Sequence, residues 1–438
     1  MADVRPFRGV TYDPGRADLA ATVCPPYDVI SPAQQQAYYA RDPHNAVRIV
    51  LNHAEGEARY TDAAAELHGW LADGTLRRDE VPSYYVHRHT FDIPSAGGSV
   101  RMSRVGLLAA VRLEPWAAGT VRPHEHTMPG PKQDRLALMR ATGADTEPIW
   151  VFHPDPDRAV LSALEAIAAE PAHVVANFKP VPGVDGEDTE ETHELWRVSH
   201  PGTVARLTAA ASAAQLYIAD GHHRYETALH HAEEVGGGPD DASRFKVMLL
   251  SAVEDPGLLV LPTHRLLRMP EGHSLGEFLG RLSAWGWVSE QPATLADLAA
   301  RLRTPAAPGN LGFGLVADRR HSYLEGPVPL EAIQGLAPSI AALDVGLLHQ
   351  GVLRPLLGIG AAELAAGEVI AYSRDAAEVE QLVRGGAYAL GILTRAPTLG
   401  QVQAVADAGE NMPQKSTYFW PKPASGLVMM LQAPGEGL

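Results

Sequence analysis

The chain has 438 residues, of which 45% are hydrophobic and 20% charged, the balance of a globular protein large enough for two or three domains. Its formal net charge of −16 lacks the cationic footprint of a broad nucleic-acid binder, and no stretch approaches the roughly 20 apolar residues of a membrane span. The first residues contain no apolar run of signal-peptide length, and the single cysteine, Cys24, has no intrachain disulfide partner. We therefore expect a soluble cytoplasmic protein.

The first third of the chain predicts short strands and helices in alternation. A strand is expected at 45–53, a helix at 58–74, a strand pair at 83–93 and 100–114 around the turn SAGG, and a polar loop at 122–135 that leads into a short helix.

The remainder continues the alternation. Helices are expected at 157–170 and 201–214 and after Asp220, strands at 193–200, 215–220, 245–253 and 258–267, and an exposed acidic loop near 186–192. Beyond 270 we expect a helix, the strand WGWVSE, a second helix, a hairpin around ADRRHS, the helical stretch SIAALDVGLLHQGVLRPLLG, and the strands EVIAYS and AYALGIL with a helix between them.

These patterns predict a mixed α/β protein of several lobes. The expected division is an N-terminal α/β lobe over 1–150, a segment over 151–270, and a C-terminal α/β lobe over 271–438 that ends in the motif KSTYFWPK. The sequence leaves the oligomeric state open.

The segment LYIADGHHRYETAL concentrates ionisable residues where a strand is predicted to meet a helix. Gly221 permits backbone angles and a close ligand approach that other residues resist, and the amides that open the next helix suit a phosphate. Arg224 can bind phosphate oxygens in a bidentate manner, and the cations His222 and His223 gain nothing from the helix dipole without an anion beside them. Asp220 could cap the helix, bind a metal or accept a proton. A purely structural role, with Asp220 as a cap and solvated histidines, stays open.

A second group of polar residues lies in RPHEHTMPGPKQDR. It contains His124, Glu125, His126, Lys132, Asp134 and Arg135. The two histidines are spaced i, i+2 and lack the spacing of a zinc helix, so a phosphate or Mg²⁺ site is the functional hypothesis, and a merely solvated loop is the alternative.

The segment NMPQKSTYFWPKPASG, 411–426, predicts no long helix because it contains several prolines. It could carry Lys415 into a cleft, or it could be a C-terminal segment packed through its aromatic residues. Asp28, Asn45, Arg48, His264 and Arg265 lie at strand ends or turns, where a structural role is the simpler interpretation of each. We find no P-loop, dinucleotide fingerprint or nucleophile elbow, and Cys24 is interpreted as structural.

Six motifs carry a resemblance to a known family. PPYDVI, HNAVRIVL, RPHEHTMPGPKQDRL, YIADGHHRYETAL, LPTHRL and MPQKSTYFWPK occur in this order along nearly the whole chain, and the chain is identified by them as a member of the bacterial and archaeal domain of unknown function 1015 family. More locally, GHHRYETA resembles the phosphate-binding box of ParB-like proteins, a fold class that includes nucleotide-dependent free-serine kinases.

The local resemblance implies that Gly221, His222, His223 and Arg224 hold nucleotide phosphates. We therefore expect a phosphoryl-transfer enzyme, such as a kinase of a small serine-type metabolite, that uses ATP or ADP with Mg²⁺ and binds a phosphorylated metabolite or nucleotide. The expected catalytic residues are Asp220, Glu125 and His124, and the expected phosphate-binding cations are Arg224, Lys132, Arg135 and Lys415. The alternatives are a phosphatase or other hydrolase of a small phosphomonoester and a non-enzymatic ParB-like nucleotide-binding switch.

Overall fold

The protein is described here by a computed structural model that covers residues 1–95, 98–127, 129–181, 190–317, 320–360, 363–364, 367–433 and 435–438. The chain forms two compact units: the first comprises residues 1–123, 127–259 and 421–438, and the second residues 124–126 and 260–420. These units divide the chain differently from the predicted segments 1–150, 151–270 and 271–438, because one sheet takes strands from both sides of residue 150. In the described part of the chain, none of the helices combines the length and the hydropathy that a membrane span needs.

The first unit is built on one large sheet and one small sheet. Its strands are β1 (Val4–Arg5), β2 (Gly9–Tyr12), β3 (Leu76–Arg78), β4 (Tyr84–Ser95), β5 (Gly98–Arg112), β6 (Val121–Arg122), β7 (Ala144–Asp145), β8 (Ile149–His153), β9 (Val174–Phe178), β10 (Glu191–Val198), β11 (Leu216–Asp220), β12 (Phe245–Ala252) and, near the C terminus, Met429–Leu431. The large sheet has the order β6-β11-β8-β12-β5-β4-β10-β9, with β1 also paired to β5, and the small sheet joins β3, β2, Met429–Leu431 and β7.

Eight α-helices accompany these strands in the described part of the first unit. They are α1 (Leu19–Thr22), α2 (Pro32–Arg41), α3 (Val47–Val50), α4 (Ala58–Asp73), α5 (Pro129–Thr142), α6 (Ala159–Ala168), α7 (Pro201–Ala213) and α8 (His222–Val235), with 3₁₀ turns at Tyr27–Val29, Trp116–Ala118 and Ala242–Arg244. Every residue of β12 is buried, as expected for a central strand covered on both faces. The apolar faces of α6, α7 and α8 pack into the same hydrophobic core as β8 and β11.

The second unit contains its own core and its own six-stranded sheet, in which every strand pair is antiparallel. In spatial order the strands are Val288–Glu290, Arg320–Pro327, Asn310–Ala317, Leu390–Leu393, His264–Leu267 and Ile370–Ser373. The short strands Leu259–Leu261 and Tyr418–Trp420 form a separate pair. The helices are Leu275–Ala284, Leu295–Leu302, Leu330–Ile333, Pro338–Ala341, Asp344–Gly346, the π-helix Leu347–Leu353, Arg354–Leu357, Ala376–Arg384 and Leu399–Asp407.

The mixed α/β architecture predicted from the sequence is confirmed, as are the helix at 58–74, the strand pair β4–β5 and the strand–turn–helix at 216–235. The expected strand at 45–53 is wrong, because this segment forms the short helix α3. A short, continuous apolar run has no periodicity that separates a strand from a buried helix. Here the Asn45 side chain accepts a hydrogen bond from the Val47 amide at 3.0 Å and so stabilises the helical start.

Three further expectations need correction. The loop expected over 122–135 is helical from Pro129 onward, since prolines are tolerated in a first helical turn, where their missing N–H groups have no intrahelical partner. The strand expected over 258–267 is interrupted at Pro262 and becomes two short strands. The acidic loop expected near 186–192 lies mostly outside the described residues, but Glu191 begins β10 and is buried.

Candidate functional site

The site begins where strand β11 ends and helix α8 starts. Gly221 lies between them with φ 104°, and no side chain of the described residues provides a hydrogen bond that caps this helix from the N-cap position. The first backbone hydrogen bond of the helix runs from the Tyr225 amide to the Gly221 carbonyl at 3.0 Å. Because a β-carbon is strongly disfavoured at this φ, glycine is required for the sharp turn. The turn leaves the first helical amides facing away from the helix, as a phosphate site requires.

Replacing Gly221 by alanine should destabilise the first unit by about 1–2 kcal/mol, because the left-handed backbone is costly for an L-residue. The added β-carbon would also lie only 3.1 Å from the Arg224 guanidinium. Urea denaturation measures the change. Gly69 is the matched control: it lies within helix α4, where an added β-carbon meets none of the described atoms within 4 Å. Gly69→Ala should therefore stabilise by about 0.5–1 kcal/mol.

Asp220, the last residue of β11, is held by two cations. One carboxylate oxygen is paired with the Arg224 guanidinium, and the other lies 2.8 Å from the ammonium group of Lys422. The same ammonium group lies 2.6 Å from a carboxylate oxygen of Asp28. The side chain of Asp28 is 40% exposed, whereas that of Lys422 is 10% exposed, so solvent reaches this group of charges from the Asp28 side.

The Arg224 side chain points into the unit. Its guanidinium donates to the Pro148 carbonyl as well as to Asp220, and the side chain is only 8% exposed. Burial lowers the pKa of Arg224, but the carboxylates of Asp220, Glu147 and Asp28 outweigh this and raise the pKa above its ordinary value. The guanidinium is therefore permanently charged and fixes the position of the Asp220 carboxylate.

Behind Arg224 lies a buried layer of ion pairs. The Lys246 ammonium group pairs with Asp145 and donates to the Glu147 carbonyl at 2.7 Å, and burial lowers the pKa of Lys246. The Arg135 guanidinium lies 3.2 Å from a Glu147 carboxylate oxygen. These side chains and Arg224 line a cavity of about 20 Å³, which is room for one water molecule. The layer supports, from the buried side, the charged corner formed by Asp28, Asp220, Lys422 and the start of helix α8. The cavity itself is too small for a ligand.

Lys132 approaches helix α8 at its second turn. Its ammonium group lies 2.8 Å from a carboxylate oxygen of Glu226, which also accepts from the Thr127 hydroxyl at 2.6 Å. Burial raises the pKa of Glu226. The hydrogen bonds from Lys132, Thr127 and Trp116 lower it by more than burial raises it, so the net shift is downward. The helix α5 that carries Lys132 and Arg135 thus packs beside the helix that carries the motif Gly221–Arg224.

His222 is buried and His223 half-buried at the start of helix α8. The structure therefore brings together, in the first unit, seven of the residues that the sequence nominated. These are Asp220, Gly221, His222, His223, Arg224, Lys132 and Arg135.

His124, Glu125 and Lys415 belong to the second unit. His124 is buried, its Nε2 lies 3.0 Å from the Thr417 hydroxyl, and its carbonyl accepts from the Met412 amide at 2.8 Å. Glu125 is half-buried. Lys415 has a φ of 55°. Two motifs of the sequence, HEH and MPQKST, therefore meet in this unit.

The Lys415 carbonyl accepts from the buried Arg265 guanidinium at 3.3 Å. Burial lowers the pKa of Arg265 to about 10. The LPTHRL motif therefore contacts the same C-terminal segment as HEH does.

Sequence reasoning missed Asp145, Glu147 and Lys246. It noted Asp28 and the segment 411–426 that contains Lys422, without assigning either to the site. A signal for Lys246 was present, because a single lysine in the continuous apolar strand β12 must be paired when the strand is buried. The sequence contains no comparable signal for its partner Asp145, which lies 101 residues away along the chain.

The sequence matches the family described as protein of unknown function (DUF1015) over residues 4–346. The chain belongs to this family. No curated protein matches it.

Several solved structures are similar to this DUF1015 protein. A free serine kinase variant in complex with AMP is 12% identical with a TM-score of 0.34, and the match covers 73% of this chain and 88% of that one. A free serine kinase variant with ADP is 13% identical with a TM-score of 0.33, covering 73% and 87%. SbnI from Staphylococcus aureus, with a C-terminal truncation, is 12% identical with a TM-score of 0.31, covering 75% and 84%.

Proposed function

We propose that this protein transfers a phosphoryl group between a nucleotide, ATP or ADP, and a small hydroxyl metabolite of the serine type. The observation that carries the proposal is the Lys422 ammonium group, which lies between the carboxylates of Asp28 and Asp220 beside the start of helix α8 at Gly221. Phosphoryl transfer depends on positioning and on neutralising charge. Two carboxylates, a cation and the positive end of the helix α8 dipole lie together here.

The residues of the corner fit a nucleotide and Mg²⁺ by their chemistry. Mg²⁺ is bound through one or two carboxylates together with substrate phosphates, and Asp28, whose side chain is 40% exposed, supplies one carboxylate. Mg²⁺ would neutralise charge on the phosphates. The amides of His222 and His223 and the Lys422 ammonium group would contact phosphate oxygens. Arg224 would hold Asp220 in place from the buried side.

In the proposed reaction the hydroxyl oxygen of the metabolite forms a bond to the terminal phosphorus of the nucleotide. The bond from that phosphorus to the bridging oxygen breaks, and the hydroxyl proton passes to a carboxylate. Asp220 is the proposed acceptor, because its position is fixed by two cations. The roles nominated for Glu125, His124 and Lys415 remain proposals for the second unit, to be tested by separate variants.

The test is to incubate the purified protein with ATP or ADP, Mg²⁺ and a panel of hydroxyl metabolites that includes L-serine. Phosphoserine or another phosphomonoester should form, detected by ³¹P NMR and mass spectrometry. A thermal-shift panel finds the ligand independently, because a ligand at 100 times its Kd stabilises by ~2.7 kcal/mol.

The Asp220→Asn variant should lose the transfer, whereas Asp157→Asn, at an exposed acid on the same unit, should keep it. Release of phosphate from a phosphomonoester without nucleotide would instead support a hydrolase. Nucleotide binding without turnover would support a switch, and either result would overturn the kinase.

A further inference from the structure

A cluster of histidines lies on one face of the large sheet, apart from the corner described above. Strands β4 and β10 pair antiparallel, with His89 directly opposite His193. Side chains two apart in a strand point to the same face, so His87 lies beside His89, and Glu191 lies beside His193. All four side chains are buried.

Three of these residues point their donor atoms at one another. The Nε2 atom of His89 lies 2.7 Å, and that of His193 3.4 Å, from the same carboxylate oxygen of Glu191. The three donor atoms all lie within 4.8 Å of one another. The fully buried Nε2 atom of His193 has no hydrogen-bond partner among the described residues.

We propose that His89, Glu191 and His193 bind a divalent transition-metal ion of the zinc type. Two imidazoles and one carboxylate are a donor set of zinc sites with three protein ligands, and imidazole nitrogen favours zinc and its neighbours over Mg²⁺. A buried carboxylate that faces two imidazole nitrogens needs a cation between them or a proton on each nitrogen. A metal ion satisfies all three atoms at once, including the His193 nitrogen.

The surroundings orient the His193 ring. A metal-ligating imidazole donates its other N–H group to a fixed acceptor, and the Nδ1 atom of His193 lies 3.0 Å from Nε2 of His87. The His87 and His193 rings are also stacked, with centroids 5.2 Å apart. His87 is therefore a positioning residue, which accepts the Nδ1 proton of His193 and leaves Nε2 for the metal.

Arg104 contacts the other histidine ligand, His89, through the ring nitrogen that does not face Glu191. Its guanidinium lies 3.3 Å from Nδ1 of His89 and also donates to the Pro421 carbonyl at 3.1 Å. Without metal, Arg104 donates to Nδ1 and the His89 proton sits on Nε2, toward Glu191. On metal binding that proton moves to Nδ1, and Arg104 keeps the Pro421 carbonyl. The site therefore binds metal at the cost of one arginine contact.

The test is to strip the full-length protein with a chelator, titrate it with Zn²⁺ or Co²⁺, and measure bound metal by elemental analysis. One equivalent should bind per chain, and Co²⁺ should give the visible absorption of a low-coordinate site. Glu191→Gln and His193→Gln should each weaken binding by at least about 100-fold, and His87→Gln by about 10–100-fold.

Two variants serve as controls. His230 is an exposed histidine one helical turn from Glu234, and His230→Gln should bind like the wild type, as should Asp220→Asn, which separates this site from the proposed phosphoryl-transfer corner. Wild-type protein that takes up no equivalent of Zn²⁺ or Co²⁺ would overturn the proposal, as would unchanged affinity in His193→Gln.

If the variants do not fold, X-ray absorption of the zinc-loaded wild type decides the question. Two imidazoles in the first coordination sphere support the site. A sphere of oxygen atoms alone overturns it.

Discussion

Lys246→Met should destabilise the first unit by about 3–5 kcal/mol, the cost of breaking a buried ion pair by removing one partner. The side chains of Lys246 and Asp145 are 4% and 1% exposed. Methionine has a similar length, so the loss comes chiefly from the Asp145 carboxylate. Among the described residues this carboxylate then keeps the hydrogen bond from the Val247 amide at 2.7 Å and has no cation beside it. Urea denaturation followed by hydrogen exchange in β12 measures the change in the first unit itself.

Two comparisons make this prediction specific. The pair Arg158–Glu165 is 44% and 48% exposed, so Arg158→Met should change the stability by less than about 1 kcal/mol. Adding Asp145→Asn to Lys246→Met removes the stranded charge and keeps an acceptor for Val247, so the double variant should recover part of the loss. A loss below about 1 kcal/mol in Lys246→Met would show that the pair is not needed in the buried layer.

Arg224→Lys should lower kcat/KM of the proposed phosphoryl transfer by about 100-fold, the effect of a displacement of about 1 Å at a reacting group. The planar guanidinium holds both the Asp220 carboxylate and the Pro148 carbonyl. A lysine ammonium group lacks this fixed fork, so Asp220 would move toward Lys422. Steady-state kinetics with saturating nucleotide, together with denaturation of the same sample, measures the loss in folded protein.

Arg140→Lys is the matched control. Arg140 also pairs with a carboxylate of helix α8, Glu234, but its side chain is 55% exposed. We expect kcat/KM to stay within about twofold of the wild type, because an exposed ion pair contributes little free energy and fixes the position of neither side chain. Equal activity in Arg224→Lys and Arg140→Lys would remove Arg224, and the corner it supports, from the proposed mechanism.

Local sequence patterns were sufficient where one segment decides its own structure. The turn at Gly221 needs a glycine for its positive φ, and helix α8 follows at once with a helical pattern of its own. Strand β12 was recognisable as central because its residues are almost all apolar. Where two structures fit one pattern, as in the apolar run of α3, the contacts of Asn45 with the rest of the unit decided the outcome.

The sequence by itself determined the α/β class, the strand–turn–helix at 216–235 and the nomination of Asp220 and Arg224, because these depend on periodicity and on residue types that are neighbours in the chain. Only the tertiary structure decided which charges meet. Lys422 lies 202 residues after Asp220 and 394 after Asp28 by their numbering, yet its ammonium group contacts both.

In the same way Glu191 was expected in an exposed acidic loop, and strand pairing placed it, buried, beside His89. Ion pairs and metal ligands act over a few ångströms of space, and distance along the sequence does not constrain that separation until the sheet has formed.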